Sequence, residues 1–220
     1  MSATAPTRLT AGNSVHSPPI PTHTVLPVAQ SLTKSEVVSS EREKLILVDR
    51  DDQEIGHLDK SACHDGNGLL HRAFSLFIFN SKGELLLQQR AAGKRLWPSF
   101  WSNSCCSHPR AGEDMDEAVG RRLHQELSLR ARLRYVYKFE YVAAYRDLGS
   151  EHELCSVYVG RSDDQPVVNV TEIGAWRWVA PEDLTRELAD HEERFTPWLK
   201  LEWERLRQEF GEDLAGINRF

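Results

Sequence analysis

Apolar residues recur with a two-residue period in several short runs along this chain, interrupted by stretches with helical spacing. KLILVD at 44–49 reads as a short apolar strand, and DDQ at 51–53 as a turn before a second strand near IGHLD. RAFSLFIFN at 72–80 is rich in aromatic and β-branched residues, which predicts a central strand. A turn at 81–83 leads into ELLLQQR at 84–90, and the two runs predict a hairpin. Residues 101–106 are expected to be extended. From 112 to 129 a loop passes into a helix, with Ala118, Val119, Leu123 and Leu127 at helical spacing. Strands are expected at 134–145, 153–160 and 175–179. Pro181 suits the first turn of a helix, where its missing N–H costs little. A last helix starts after Thr196 and Pro197 and runs to about 209. There is no internal repeat. This order predicts an α+β fold, a mixed sheet with helices packed on it.

Residues 1–41 stand apart from this pattern. They hold Pro6, Pro18, Pro19, Pro21 and Pro27, half of the chain's 10 prolines, and no Asp or Glu precedes Glu36. Such a segment buries too little apolar surface to offset the entropy of ordering, so a disordered tail is expected over 1–41 and a folded domain over 42–220. The tail reads either as an unstructured extension or as an organelle-targeting peptide. The shortage of acids favours the second, and Arg8 being the only arginine before Arg42 opposes it.

Composition adds constraints. A net charge of −6 gives no sign of a nucleic-acid partner or a polybasic membrane patch, so a polyanionic ligand would need local basic residues, metal ions, or both. Cys63, Cys105, Cys106 and Cys155 include no CxxC and follow no secreted spacing, which suits reduced thiols in a reducing cytoplasm. No run of 18 apolar residues and no signal-peptide core is seen, so a cytoplasmic protein is expected.

The candidate chemistry gathers around SNSCCSHP at 102–109. In an extended backbone Cys106 and His108 face one way and Cys105 the other, which makes Cys106 the functional thiol and Cys105 a packing residue. A buried apolar role is the common fate of a free cysteine, and a histidine two residues away argues against it here. His64 and His71 flank the loop DGNG, and Glu151 and Glu153 lie on one face of a strand. Three imidazoles and two carboxylates form a mixed N/O set suited to Mn²⁺, Mg²⁺ or Zn²⁺. Lys60, Arg90 and Lys94 surround the same loop, and with a divalent ion on Glu126 they would make a diphosphate site.

Taken together these residues resemble the type 1 isopentenyl diphosphate isomerases of the Nudix superfamily. The stretches that carry the likeness are HRAFS (71–75), WPSFWSNSCCSHP (97–109), Gly112 with Glu113, RRLHQEL (121–127), FEY (139–141), EHELC (151–155) and FTPW (195–198), within about 44–200. The resemblance implies a Nudix-type α/β/α sandwich with a mixed β-sheet. It implies an isomerase that interconverts isopentenyl and dimethylallyl diphosphate and supplies isoprenoid biosynthesis. By position, His64, His71, His108, Glu151 and Glu153 would hold the active-site metal. Glu126 would hold a Mg²⁺ that also touches the diphosphate and the Cys106 carbonyl. Cys106 and Glu153 would be the acid–base pair with Tyr141 beside them, Trp198 an aromatic wall over the hydrocarbon, and Lys60, Arg90 and Lys94 the diphosphate grip. Trp97 and Trp101 are also expected at the pocket, whose task is to keep water from a cationic centre. The partner implied is a small isoprenyl diphosphate, with no nucleic acid and no membrane, and the chain is expected as a monomer or weak dimer.

One departure bears on the reaction. The hydrolase box of this superfamily runs Gly-x5-Glu-x7-Arg-Glu-x-x-Glu-Glu, and here Ser107, Arg122 and Gln125 stand at three of its positions while Glu113 and Glu126 survive. Fewer carboxylates argue against a diphosphohydrolase. A non-catalytic binder of metal or isoprenoid diphosphate is the other alternative, opposed by the presence of Cys106, Glu153 and Tyr141 together.

Overall fold

The structure is a computed structural model and describes residues 34–215. Nine strands, β1 (Lys44–Val48), β2 (Glu54–Asp59), β3 (His71–Phe79), β4 (Leu85–Arg90), β5 (Trp101–Ser102), β6 (Cys105–Ser107), β7 (Leu133–Tyr145), β8 (Gly149–Arg161) and β9 (Ile173–Val179), form one mixed sheet. Five helices accompany it: α1 (Lys60–Cys63), α2 (Met115–Leu127), α3 (Pro181–Asp190), α4 (Pro197–Glu209) and α5 (Gly211–Ala215).

β3 explains the layering. Its side chains alternate, so Phe74, Leu76 and Ile78 enter one core with Ala118, Val119, Leu123 and Leu127 of α2. Phe77 and Phe79 enter the opposite core with Leu184 of α3 and Leu199, Trp203 and Leu206 of α4. A strand covered on both faces is apolar throughout, which is why 72–80 lacks a polar alternation. Each of these large side chains contributes roughly 1.5–3 kcal/mol by leaving water. The result is the expected α+β sandwich, helices on both sides of a mixed sheet.

Local signals set the helix limits. Asp114 caps α2 by accepting hydrogen bonds from the N–H groups of Asp116 at 2.8 Å and Glu117 at 3.4 Å. Ser128, with φ 58°, ends it. Pro181 and Pro197 each occupy the first turn of their helix, as the sequence predicts.

Two expectations are corrected. The hairpin of 72–80 and 84–90 is barely zipped, because Phe79 opposite Leu85 is the only register pair between β3 and β4. The segment carrying β5 and β6 wedges between them. Its Ser104 hydroxyl accepts from Ile78 N at 2.8 Å and donates to Leu86 O at 2.7 Å. β3 then pairs in parallel with β8 over its full length, and β4 pairs with β9.

The second correction concerns the tail. Residues 1–33 lie outside the described residues, but 34–41 pack on the domain. Lys34 N donates to Val168 O at 2.8 Å, Asn169 Nδ2 to Glu36 O at 2.7 Å, and Arg122 Nη1 to Val38 O at 2.7 Å. Val38 is buried. Main-chain carbonyls that find buried donors hold this segment in place despite its composition.

Candidate active site

Four elements bring the predicted metal ligands together. His64 follows α1, His71 opens β3, His108 follows β6, and Glu151 and Glu153 project from β8. Their ligand atoms all lie within 4.8 Å of one another. The three imidazole centroids are 4.9–5.4 Å apart. Parallel pairing sets His71 directly beside Glu153 in register, and the two-residue period places Glu151 on the same face. Gly149 makes room for this. With φ 146°, it lies so close to His64 that an added Cβ would sit 2.2 Å from the His64 carbonyl oxygen. Ser150 N donates to that same oxygen at 2.9 Å.

The cluster fits a divalent cation. Nδ1 of His64 lies 2.6 Å from Lys60 O, and Nδ1 of His71 lies 2.7 Å from Leu69 O. A carbonyl only accepts, so each Nδ1 carries the proton and each Nε2 lone pair turns inward when the ring is neutral. His71 Nε2 is buried with no hydrogen-bond partner, an orphaned atom in need of a ligand. Three neutral imidazoles and two carboxylates form a donor set for a borderline or hard divalent ion.

Electrostatics within the cluster are uneven. Burial opposes protonation of His64, yet Glu151, 2.7 Å from its Nε2, outweighs burial and lifts the imidazole above its ordinary value. Burial alone would raise Glu151, but His64 prevails and its carboxyl is lowered. Burial and then His64 push His71 down to about 3. Burial and then His71 hold His108 well below its usual range. Burial, and next the charge of Glu151, drive Glu153 well up. Burial thus leaves His71 and His108 as neutral imidazoles beside two carboxylates, the state in which such groups can serve as ligands.

Beside the cluster, Tyr141 Oη donates to Glu153 Oε2 at 2.7 Å, and β7–β8 pairing sets Tyr141 opposite Glu153. Cys106 lies on β6 opposite Ser75 of β3. It lines the same pocket as Glu153, Tyr141 and Trp198, while Cys105 is buried in the α2 core. Burial pushes the Cys106 thiol up to about 12, although Arg90 pulls the other way. Arg90 Nη1 is 3.8 Å from Cys106 Sγ, and its guanidinium lies 5.2 Å from the Trp198 ring centroid.

Lys60, Arg90 and Lys94 all line this pocket, and Arg95 and Arg122 line it as well. Lys60 Nζ donates to Ser39 Oγ at 2.7 Å, and burial, then the nearby Lys94, lowers its proton affinity. Lys94 and Arg122 share the buried Glu172 carboxylate. Five cations thus converge in an acidic chain, which answers the need for local positive charge.

Glu126, expected apart from the five clustered ligands, is buried on α2, and its Oε1 accepts from Arg122 Nε at 2.9 Å and Nη2 at 2.6 Å. Trp101 is away from the pocket, stacked under Arg177 at 4.8 Å. Trp97 is buried behind Trp198, with ring centroids 5.2 Å apart. Sequence reasoning missed Glu41, Arg95 and Arg122 in the lining of the pocket, and Glu172 as the partner of Lys94 and Arg122. A cation at a hydrolase-box carboxylate position was the available signal for Arg122; Glu41 lies in the stretch read as tail and offered none.

Comparison with known proteins agrees with this geometry. Residues 69–199 match the NUDIX domain. The isopentenyl-diphosphate Delta-isomerase 1 of Photorhabdus laumondii is 44% identical over 73% of this chain and 93% of its own length. The isopentenyl-diphosphate Delta-isomerase of Serratia proteamaculans is 47% identical over 71% of this chain and 87% of its own. Among solved structures, a Deinococcus radiodurans protein superposes with TM-score 0.61 at 25% identity, covering 74% of this chain and 98% of that one. A MutT protein from Methanosarcina mazei, TM-score 0.54 at 18% identity over 64% of this chain and 94% of that one, shares the fold. The chain belongs to the isopentenyl-diphosphate Delta-isomerase family of NUDIX-domain proteins.

Proposed function

We infer that this chain interconverts isopentenyl diphosphate and dimethylallyl diphosphate, feeding isoprenoid biosynthesis. The observation that carries the residue assignment is one pocket lined by Cys106 on one strand and by Glu153 with Tyr141 on two others, with cations gathered around it. The substrate double bond is unactivated. It must gain a proton at C4, develop tertiary cationic character at C3, and lose a proton at C2.

Cys106 and the Glu153–Tyr141 pair are the proton donor and acceptor in this reading. Burial keeps the Cys106 thiol protonated at neutral pH, and burial, then the charge of Glu153, raises Tyr141 well above its ordinary value. The thiol is therefore the group with a proton to give to C4, and the Glu153 carboxylate, which accepts from Tyr141, is the group able to take up the proton lost from C2. Trp198 presents a π face to the developing cation, worth about 0.5–2 kcal/mol when water is excluded. Lys60, Arg90 and Lys94, joined by Arg122, grip the diphosphate, and that remote binding holds the five-carbon chain in register with the reacting groups.

His64, His71, His108, Glu151 and Glu153 would hold a divalent cation, whose charge would tune the proton affinity of Glu153 and of Tyr141 bonded to it. Mn²⁺, Mg²⁺ and Zn²⁺ all suit the donor set. Glu126 is the candidate side chain for the Mg²⁺ that accompanies the diphosphate. Its Oε1 also accepts from Arg122.

The test is incubation of the protein with isopentenyl diphosphate and Mg²⁺ in D₂O. Deuterium in dimethylallyl product is expected. Release of inorganic phosphate without isomer would establish a hydrolase instead, and tight binding without conversion a binder. Against the hydrolase stands Arg122, a guanidinium at a carboxylate position of the hydrolase box.

A further inference from the structure

One buried oxygen ties the two sides of the reacting pocket together. Ser102, fully buried at the end of β5, has its Oγ 3.0 Å from Trp198 Nε1, which donates to it. The same oxygen donates to Asn103 Oδ1 at 2.9 Å, stands 3.0 Å from Thr196 Oγ1, and lies 4.0 Å from Cys106 Sγ. Asn103 extends the node. Its Nδ2 donates to the Cys105 carbonyl at 2.9 Å and to Leu76 O at 3.3 Å, and its Oδ1 takes a second bond from Trp198 Nε1 at 3.2 Å. The indole N–H is therefore forked between two neighbouring residues.

Around Cys106 the donor and acceptor roles are separable. Arg90 has only N–H groups to offer the sulfur, so the thiol hydrogen must point elsewhere. The Ser102 oxygen, which already accepts from Trp198, is an acceptor within reach of it. With its hydrogen on Asn103 Oδ1 and one lone pair on the Trp198 N–H, Ser102 has one lone pair left at this corner, within reach of both the Thr196 hydroxyl and the Cys106 thiol.

Resting on the isomerase reading above, we propose that Ser102 is a positioning residue that fixes the Trp198 ring and the Cys106 thiol relative to each other. Trp198 is on α4 and Cys106 on β6, elements far apart in the chain, and Ser102 is a side-chain oxygen within reach of both. A misplacement at this corner moves the aromatic face and the thiol out of register, and of the cations only Arg90 borders it, while Lys60 and Lys94 stay tied to Ser39 and Glu172. The loss then falls on kcat and leaves the diphosphate contacts, and so KM, largely alone.

The experiment compares Ser102→Ala, Ser102→Thr and Thr196→Val with the parent, reading kcat and KM for isopentenyl diphosphate and the ¹⁵N-indole signals of the tryptophans in the substrate-free protein. Ser102→Ala is expected to lower kcat on the order of tenfold or more, with KM within about twofold, and to shift the Trp198 indole resonance. Ser102→Thr, which keeps the oxygen, restores both. Thr196→Val, which removes a hydroxyl bonded to Ser102 Oγ but to neither the indole nor the sulfur, lowers kcat and shifts the indole signal less than Ser102→Ala does. An unchanged kcat in folded Ser102→Ala overturns the proposal, as does an equal fall in Thr196→Val, which would mark general loosening of the core. If Ser102→Ala does not fold, Ser102→Cys takes its place with the same expectation, since sulfur is the weaker acceptor. The indole signal is independent of turnover, so a parent without isomerase activity would sink the functional reading and leave the placement of Trp198 still measured.

Discussion

Cys105 and Cys106 differ by one step along an extended strand, and that step sends one sulfur beneath α2 and the other into the pocket. Cys106→Ala should therefore abolish deuterium incorporation. Cys105→Ala should keep kcat within a few-fold and lose about 1–2 kcal/mol in a urea melt, the cost of a small core void. Equal loss of turnover in both would refute the assignment by strand parity. The same parity made Glu151 and Glu153 legible as a pair, and the charge requirement pointed to Lys60, Arg90 and Lys94. Trp101 was less legible because its partner, Arg177, is set by packing that no local period encodes. His71 carries its own test. With Nδ1 tied to Leu69 O and Nε2 orphaned, His71→Ala should weaken Mn²⁺ binding by tenfold or more in calorimetry.

Elements differ in how much of their placement is local. α2 announces itself through Asp114 and its apolar spacing, and Asp114→Ala should cost about 1 kcal/mol in a thermal melt with little change in kcat. The hairpin was only half readable. Its strands are correct, but their true partners are β8 and β9, chosen by long-range burial, and the Ser104 wedge between them is a polar residue that no hydrophobic pattern flags. β8 depends on Gly149 at its start. Gly149→Ala drives a methyl into the His64 carbonyl, so it should reduce both Tm and Mn²⁺ affinity, whereas alanine at the open Gly83 should leave Mn²⁺ affinity unchanged.

For the molecule as a whole, the buried carboxyl of Glu202 on α4 couples stability to pH. It faces Cys155 and Ser75, its main-chain carbonyl takes the Tyr137 hydroxyl, and burial holds its pKa up to about 8 against an ordinary 4.5. Between those values the unfolded chain has released this proton and the folded chain retains it. This contribution therefore favours folding least at high pH: stability falls as pH rises through the window, by roughly 1.4 kcal/mol per unit, and no penalty applies below it. Glu202→Gln should remove that slope. Urea melts at pH 5 and pH 8 should show the parent losing more stability than the variant, and parallel losses would contradict the assignment. Among the described residues no helix is long and apolar enough to cross a membrane. The leading segment is the other whole-molecule feature. Val38 O and Ser39 Oγ engage Arg122 and Lys60, two cations of the pocket. Shortening the chain is thus a graded operation: a start at Lys34 preserves both engagements, while a start at Arg42 frees the Lys60 ammonium from Ser39 and one N–H of Arg122, whose guanidinium Glu126 and Glu172 still hold, for solvent or an incoming anion to clothe.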